Sequence, residues 1–140
     1  MAPDQDNTVR RSLVLENECA ASLADKGYQV HQNPTSKEIA DARLRTGDTG
    51  KPNKTPDYVL EGHVFDCYSP TPEKGVRGAW TAVSEKVSKG QTQRVVMNLQ
   101  DWRGDLIDLR KQFDDWPITG LKELTALTPS GAIVQIVPRH

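Results

Sequence analysis

Hydrophobic positions along the chain switch repeatedly between two spacings. In residues 10–26, RRSLVLENECAASLADK, the residues Leu13, Cys19, Ala20, Leu23 and Ala24 return at helical intervals, and Gly27 suits a helix stop. Tyr28 and Val30 then alternate with polar residues as in a half-buried strand that ends by Pro34. TSKEIADARLR predicts a short helix capped by Thr35 or Ser36 with help from Glu38. TGDTGKPNKTP reads as an exposed loop. Residues 57–61 and 63–68 predict a hairpin turning at Glu61-Gly62, followed by the loop SPTPEKGVRG. AWTAVSEKVSKGQ predicts a helix with Trp80, Val83 and Val87 on one stripe. RVVMNLQ predicts a strand covered on both faces. DLIDLRKQFDDW predicts a helix turning Leu106, Leu109 and Phe113 inward. LKELTAL reads as a shorter helix or turn, and GAIVQIVP as a last strand. This order predicts an α/β (or α+β) fold, a single-layer mixed sheet flanked by helices.

The 140 residues suit one domain with a real core. Residues 1–9, MAPDQDNTV, carry no apolar stretch of the signal-peptide kind. They read as a flexible polar lead-in, as at a cut from a longer protein, and the domain is assigned to 10–140. No apolar run reaches the ~20 residues of a membrane helix, so no membrane anchoring is expected of this domain. Net charge is -1, which argues against a protein that coats nucleic acid indiscriminately. It leaves room for a local grip. Arg43, Arg45, Lys51 and Lys54 precede the hairpin, and Lys74, Arg77, Lys86, Lys89 and Arg94 follow it. Two cysteines, Cys19 and Cys67, make no disulfide framework and read as free thiols. Trp80, Trp102 and Trp116 read as core or boundary residues rather than base-stacking platforms.

The segment PDYVLEGHVFDCY raises the chemical question. A half-buried hairpin keeps ionised carboxylates outward, because burying them unpaired is costly. Here Asp57 opens one strand and Asp66 stands between Phe65 and Cys67 in the other. Two such acids call for a counter-charge. Oxygen donors of this kind suit Mg²⁺ or Mn²⁺, with Zn²⁺ a further option. With a lysine they form a kit for metal-assisted phosphodiester hydrolysis. The competing assignment, Asp57 capping a turn and Asp66 facing solvent, stays open at this level. A third acid is available from the first helix, where the helical wheel favours Glu16 over Glu18 as the inward one. His31, His63 and His140 have no metal-ligand spacing, but His31 or His63 with a lysine offers a metal-free ribonuclease. No Gly-rich nucleotide motif is present.

ENECAASLADKGYQVHQNP, PDYVLEGHVFDCYSP and VSEKVSKGQTQRVVMNL occur in the order found in the C-terminal tRNase domains of contact-dependent growth inhibition toxins, of the PD-(D/E)XK nuclease superfamily. The resemblance spans roughly residues 10–137. It implies Glu18, Asp57 and Asp66 as metal ligands and, with Lys86, as the catalytic set, Lys89 being the competing lysine. The superfamily's lysine position, two residues after the second acid, is Tyr68 here. The resemblance further implies a monomeric, metal-dependent endoribonuclease, with tRNA as substrate and a cognate immunity protein as partner. It implies secretion within a larger exoprotein and action in the cytoplasm of a target cell. DNA cleavage on the same core and a non-catalytic binding module are the rival expectations.

Overall fold

The computed structural model describes residues 3–138, with side chains from residue 9 onward. The elements run α1 (Pro3–Asp25), β1 (Val30–Gln32), α2 (Ser36–Thr46), β2 (Tyr58–Leu60), β3 (His63–Tyr68), α3 (Val76–Ser88), β4 (Arg94–Asn98), α4 (Leu106–Asp115), β5 (Glu123–Leu127) and β6 (Ile133–Val137). Six strands form one mixed sheet in chain order. β1, β2 and β3 pair antiparallel, β3, β4 and β5 pair parallel, and β6 returns antiparallel on β5. The two parallel steps need long crossovers, which α3 and α4 supply. The expected mixed sheet with flanking helices is therefore present.

Local chemistry explains most boundaries. Thr35 caps α2 in a full capping box with Glu38. Asp105 caps α4 through the amides of Ile107 and Asp108. Glu61 and Gly62 both have positive φ, 50° and 80°, as a two-residue hairpin turn of matching twist demands.

The sheet divides the core. On one face α1 packs Cys19, Ala20 and Leu23 on Tyr58, Leu60, Phe65 and Val96. On the other, α3 and α4 pack Ala79, Val83, Leu109 and Phe113 on Val95, Met97, Leu124 and Ala126. α2 covers Val64 with Ile39 and Ala42. Since side chains alternate along a strand, Val64, Asp66 and Tyr68 share the second face, and Phe65 and Cys67 the first.

Three expectations change. α1 begins at Pro3, not Arg10, so residues 3–9 are helical; the first two residues of the expected lead-in, and His140, lie outside the described residues. Leu13 is exposed and Leu15 takes its place in the core, rotating the buried stripe. LKELTAL contains strand β5 instead of a helix or turn. Its leucines at every third position imitate a helix, but β5 is buried on both faces and bonded to strands on both sides, which removes the alternation a half-exposed strand shows. The segment TGDTGKPNKTP is the mostly exposed loop expected, but it is anchored to the sheet. Asp48 is buried, and its carboxylate holds Arg94 (2.8 Å) and Lys122 (2.9 Å) at the starts of β4 and β5. Arg43 and Lys51 tie the same segment to the carbonyls of Gln91 and Gly90.

Candidate active site

Asp57 and Asp66 meet because of strand register. Tyr58 pairs with Phe65 in the antiparallel hairpin, so one step outward Asp57 stands opposite Asp66. Asp57 Oδ2 accepts the amide of Cys67 at 2.8 Å, which turns its carboxyl inward. Asp66 is 2% exposed. Lys86, in the last turn of α3, reaches it with Nζ 2.5 Å from Oδ2. Asp66 is thus not solvent-facing and Asp57 is not a mere turn cap.

With both carboxyls ionised, the pair would carry more negative charge than one lysine balances. Burial, then the shared hydrogen bond and charge of Asp66, push the Asp57 carboxyl up to about 9. At neutral pH without a cation, Asp57 therefore holds a proton against Asp66. Glu16 raises it further.

The first-helix acid is decided by how α1 is rotated. Tyr58 Oη donates to the Glu16 carbonyl, and Asn98 Nδ2 donates to the Leu15 carbonyl at 3.0 Å. These sheet side chains turn Glu16 toward the acids, where it is half-buried. Glu18 is exposed, and its charge acts on Arg11, itself bound to Asp101 at 2.6 and 2.9 Å. The expected grouping of Glu18 with Asp57 and Asp66 does not form. Among the described residues no cluster of three or more His, Cys, Asp or Glu side chains is poised to hold a metal ion. Two carboxylates are nevertheless a sufficient protein contribution for Mg²⁺, which keeps several waters and takes further oxygens from substrate phosphates.

Beside Lys86 opens a pocket of about 420 Å³, lined by Lys54, Tyr68, Glu85, Lys86, Lys89 and others. Lys89 is exposed and only loosely paired with Glu85 at 3.9 Å, so Lys86 is the lysine at the acids. Tyr68, two positions past Asp66 on the same strand face, keeps a buried hydroxyl without a partner among the described residues, and burial pushes its phenol up. Residue reading had offered Lys54 only as one of the cations flanking the hairpin and had not assigned Tyr68 a part in the site, for which strand alternation from Asp66 was the available signal.

The expected basic cluster splits. Lys51 packs against Gly90, beyond the end of α3, whereas Lys74 packs against Gly78 in its first turn. Thirteen helical residues, roughly 20 Å, lie between these ends. Two histidines stand elsewhere: His31 Nε2 lies 2.8 Å from Glu38, and the buried His63 Nδ1, without a hydrogen-bond partner among the described residues, lies 3.5 Å from Asp48. Neither lines the lysine pocket. Cys19 and Cys67 are free thiols, and contact with Cys19 together with burial pushes Cys67 up. Trp102 is core, while Trp116 is exposed.

The model of the contact-dependent growth inhibition CdiA C-terminal domain matches residues 54–133, which include both strand acids and Lys86. The chain belongs to this family. It is 36% identical over 137 residues to the tRNA nuclease CdiA-2 of Burkholderia pseudomallei (strain 1026b), covering 98% of this chain and 4% of that protein. The chain thus spans a small fraction of its curated relative's length. The fold matches a CdiA-CT/CdiI toxin and immunity complex from Burkholderia pseudomallei with TM-score 0.78 and 36% identity, over 99% of this chain and 93% of that one. Among the described residues of this CdiA C-terminal domain, no helix is long and apolar enough to cross a membrane.

Proposed function

We propose that this domain is a divalent-cation-dependent endoribonuclease toxin that cleaves tRNA. The reading is supported by the relative named a tRNA nuclease and, above all, by one observation: Lys86 is bound to Asp66 while Asp57 stands opposite Asp66 in the hairpin. A buried Asp66, a half-buried Asp57 and an ammonium group at a pocket edge form an arrangement that a cation and a phosphate would complete.

Asp57 and Asp66 would hold the cation, Mg²⁺ or Mn²⁺ before Zn²⁺ given all-oxygen donors. When bound, such an ion polarises a phosphoryl oxygen and favours hydroxide over water. The remaining work belongs to side chains of the chain. Asp66 fixes the Lys86 ammonium at the mouth of the pocket. Lys86 then neutralises charge that grows on the scissile phosphate, a preorganised contribution. Lys54 and Lys89 draw the phosphodiester backbone toward it. Asp57 gives up its proton as the cation enters, which couples binding to pH. Glu16 takes the place expected of Glu18 as the acid nearest the pair. The arrangement is read as a variant of the PD-(D/E)XK site with its lysine supplied from α3.

The domain acts, on this reading, as the C-terminal piece of a larger exoprotein, delivered into the cytoplasm of a target cell. A cognate immunity protein neutralises it, as the toxin and immunity complex of the structural relative suggests. The test incubates the domain with total tRNA and with plasmid DNA, each with Mg²⁺ or EDTA. Cleavage of tRNA alone, lost in EDTA, is expected. Full activity in EDTA would remove the cation and promote His31 or His63, cleavage of plasmid would favour a DNA endonuclease, and inertness toward both would leave a binding module.

A further inference from the structure

The Tyr68 hydroxyl is buried and has no hydrogen-bond partner among the described residues. Its ring is fixed, packed at the edge of the core formed by α3, α4 and the sheet. A buried hydroxyl left unbonded is destabilising, and phenylalanine would fill the same space without that cost. The same ring lines the pocket whose other walls carry Lys54, Lys86 and Lys89.

We propose that Tyr68 is a substrate-contacting residue, its hydroxyl donating a hydrogen bond to a non-bridging oxygen of the RNA phosphate gathered by Lys54, Lys86 and Lys89. The inference rests on the nuclease reading and deepens it by naming the phosphate's subsite. Three ammonium groups supply charge but little direction, because each sits on a flexible four-carbon stem. The tyrosine supplies direction, since its ring is locked by packing. As a phosphate enters the pocket that the ring lines, the hydroxyl gains a hydrogen-bond partner. Strand geometry places this donor two residues past Asp66 on the same face, and its ring shares the pocket with the Lys86 that Asp66 holds. No proton is transferred in this role; the phenol stays a donor throughout.

The test is Tyr68→Phe, which deletes the hydroxyl and keeps the ring. Cleavage of tRNA should fall about 10- to 100-fold in kcat/KM, the range that goes with one hydrogen bond to a charged group. The melting temperature of the free domain should not fall, because no internal bond is lost. A wild-type cleavage rate would overturn the inference. So would a clear drop in melting temperature, which would mean the hydroxyl is bonded within the protein. Lys86→Ala, measured alongside, separates the two levels. An inactive Lys86→Ala beside a fully active Tyr68→Phe removes only the role of Tyr68, whereas a fully active Lys86→Ala removes the nuclease site itself.

Discussion

Lys86 and Asp66, twenty residues apart, meet at 2.5 Å across the boundary between α3 and β3. The contact crosses one face of the sheet, with the carboxylate almost wholly buried and the ammonium at the edge of solvent. A bridge so placed ties catalysis to stability, because removing the lysine leaves an uncompensated buried charge. Lys86→Ala should therefore lower tRNA cleavage by about 10²-fold or more and also lower the melting temperature. Lys89→Ala should do less on both counts, since its ammonium is exposed. Single-turnover cleavage and thermal melts of the two variants check the ranking, and the reverse order would move the site one turn along α3.

Asp57 should make the cation-free protein less stable as pH rises. The unfolded acid releases its proton near about 3.9 and the folded one at about 9. Between these values the folded state binds the extra proton, so unfolding stability falls with increasing pH. Urea midpoints in EDTA should decline from about pH 5 to about pH 8, and Asp57→Asn should flatten the decline. Mg²⁺ should stabilise more at the upper end, where less proton must be displaced. An unchanged slope in Asp57→Asn would show that another group carries it.

Glu16 and Glu18 differ by a rotation of α1, and their variants should differ accordingly. Glu16→Gln should impair cleavage, because Glu16 is the helix acid whose charge acts on Asp57. Glu18→Gln should leave cleavage near normal, since Glu18 is exposed and acts on Arg11. Steady-state rates on total tRNA settle the order. A dead Glu18→Gln beside an active Glu16→Gln would restore the assignment that the family resemblance implies.

Asp48 should govern acid stability. Burial alone would raise it, but hydrogen bonds from Arg94 and Lys122 outweigh burial and hold the carboxyl at about 2. Its contribution is present above the ordinary value of 3.8 and is lost as pH falls through 2, because only the unfolded state takes up the proton in between. Asp48→Asn should cost about 3 kcal/mol at neutral pH, the lower end for removing one partner of a buried ion pair. Its acid unfolding between about pH 4 and pH 2 should be shallower than that of the wild type.

Much of this protein was legible in its residues taken in order. The capping box at Thr35 and Glu38, the Glu61-Gly62 turn and the stripe Leu109/Phe113 each depend on neighbours within a few positions, so local chemistry determines them. The two hairpin acids were legible for the same reason, since antiparallel register follows from the turn between them. Tertiary structure decided the rest. LKELTAL became a strand because β4 and β6 satisfy its backbone on both sides. Asp48 left the loop for the interior because Arg94 and Lys122, far along the chain, compensate its charge. The helical wheel already favoured Glu16 over Glu18 as the inward acid, but what fixes that rotation of α1 toward Asp57 is the hold of Tyr58 and Asn98 on its carbonyls. Each of these outcomes depends on a partner many residues away. Short-range periodicity carries no record of such a partner; only the closed fold brings it within reach of a hydrogen bond.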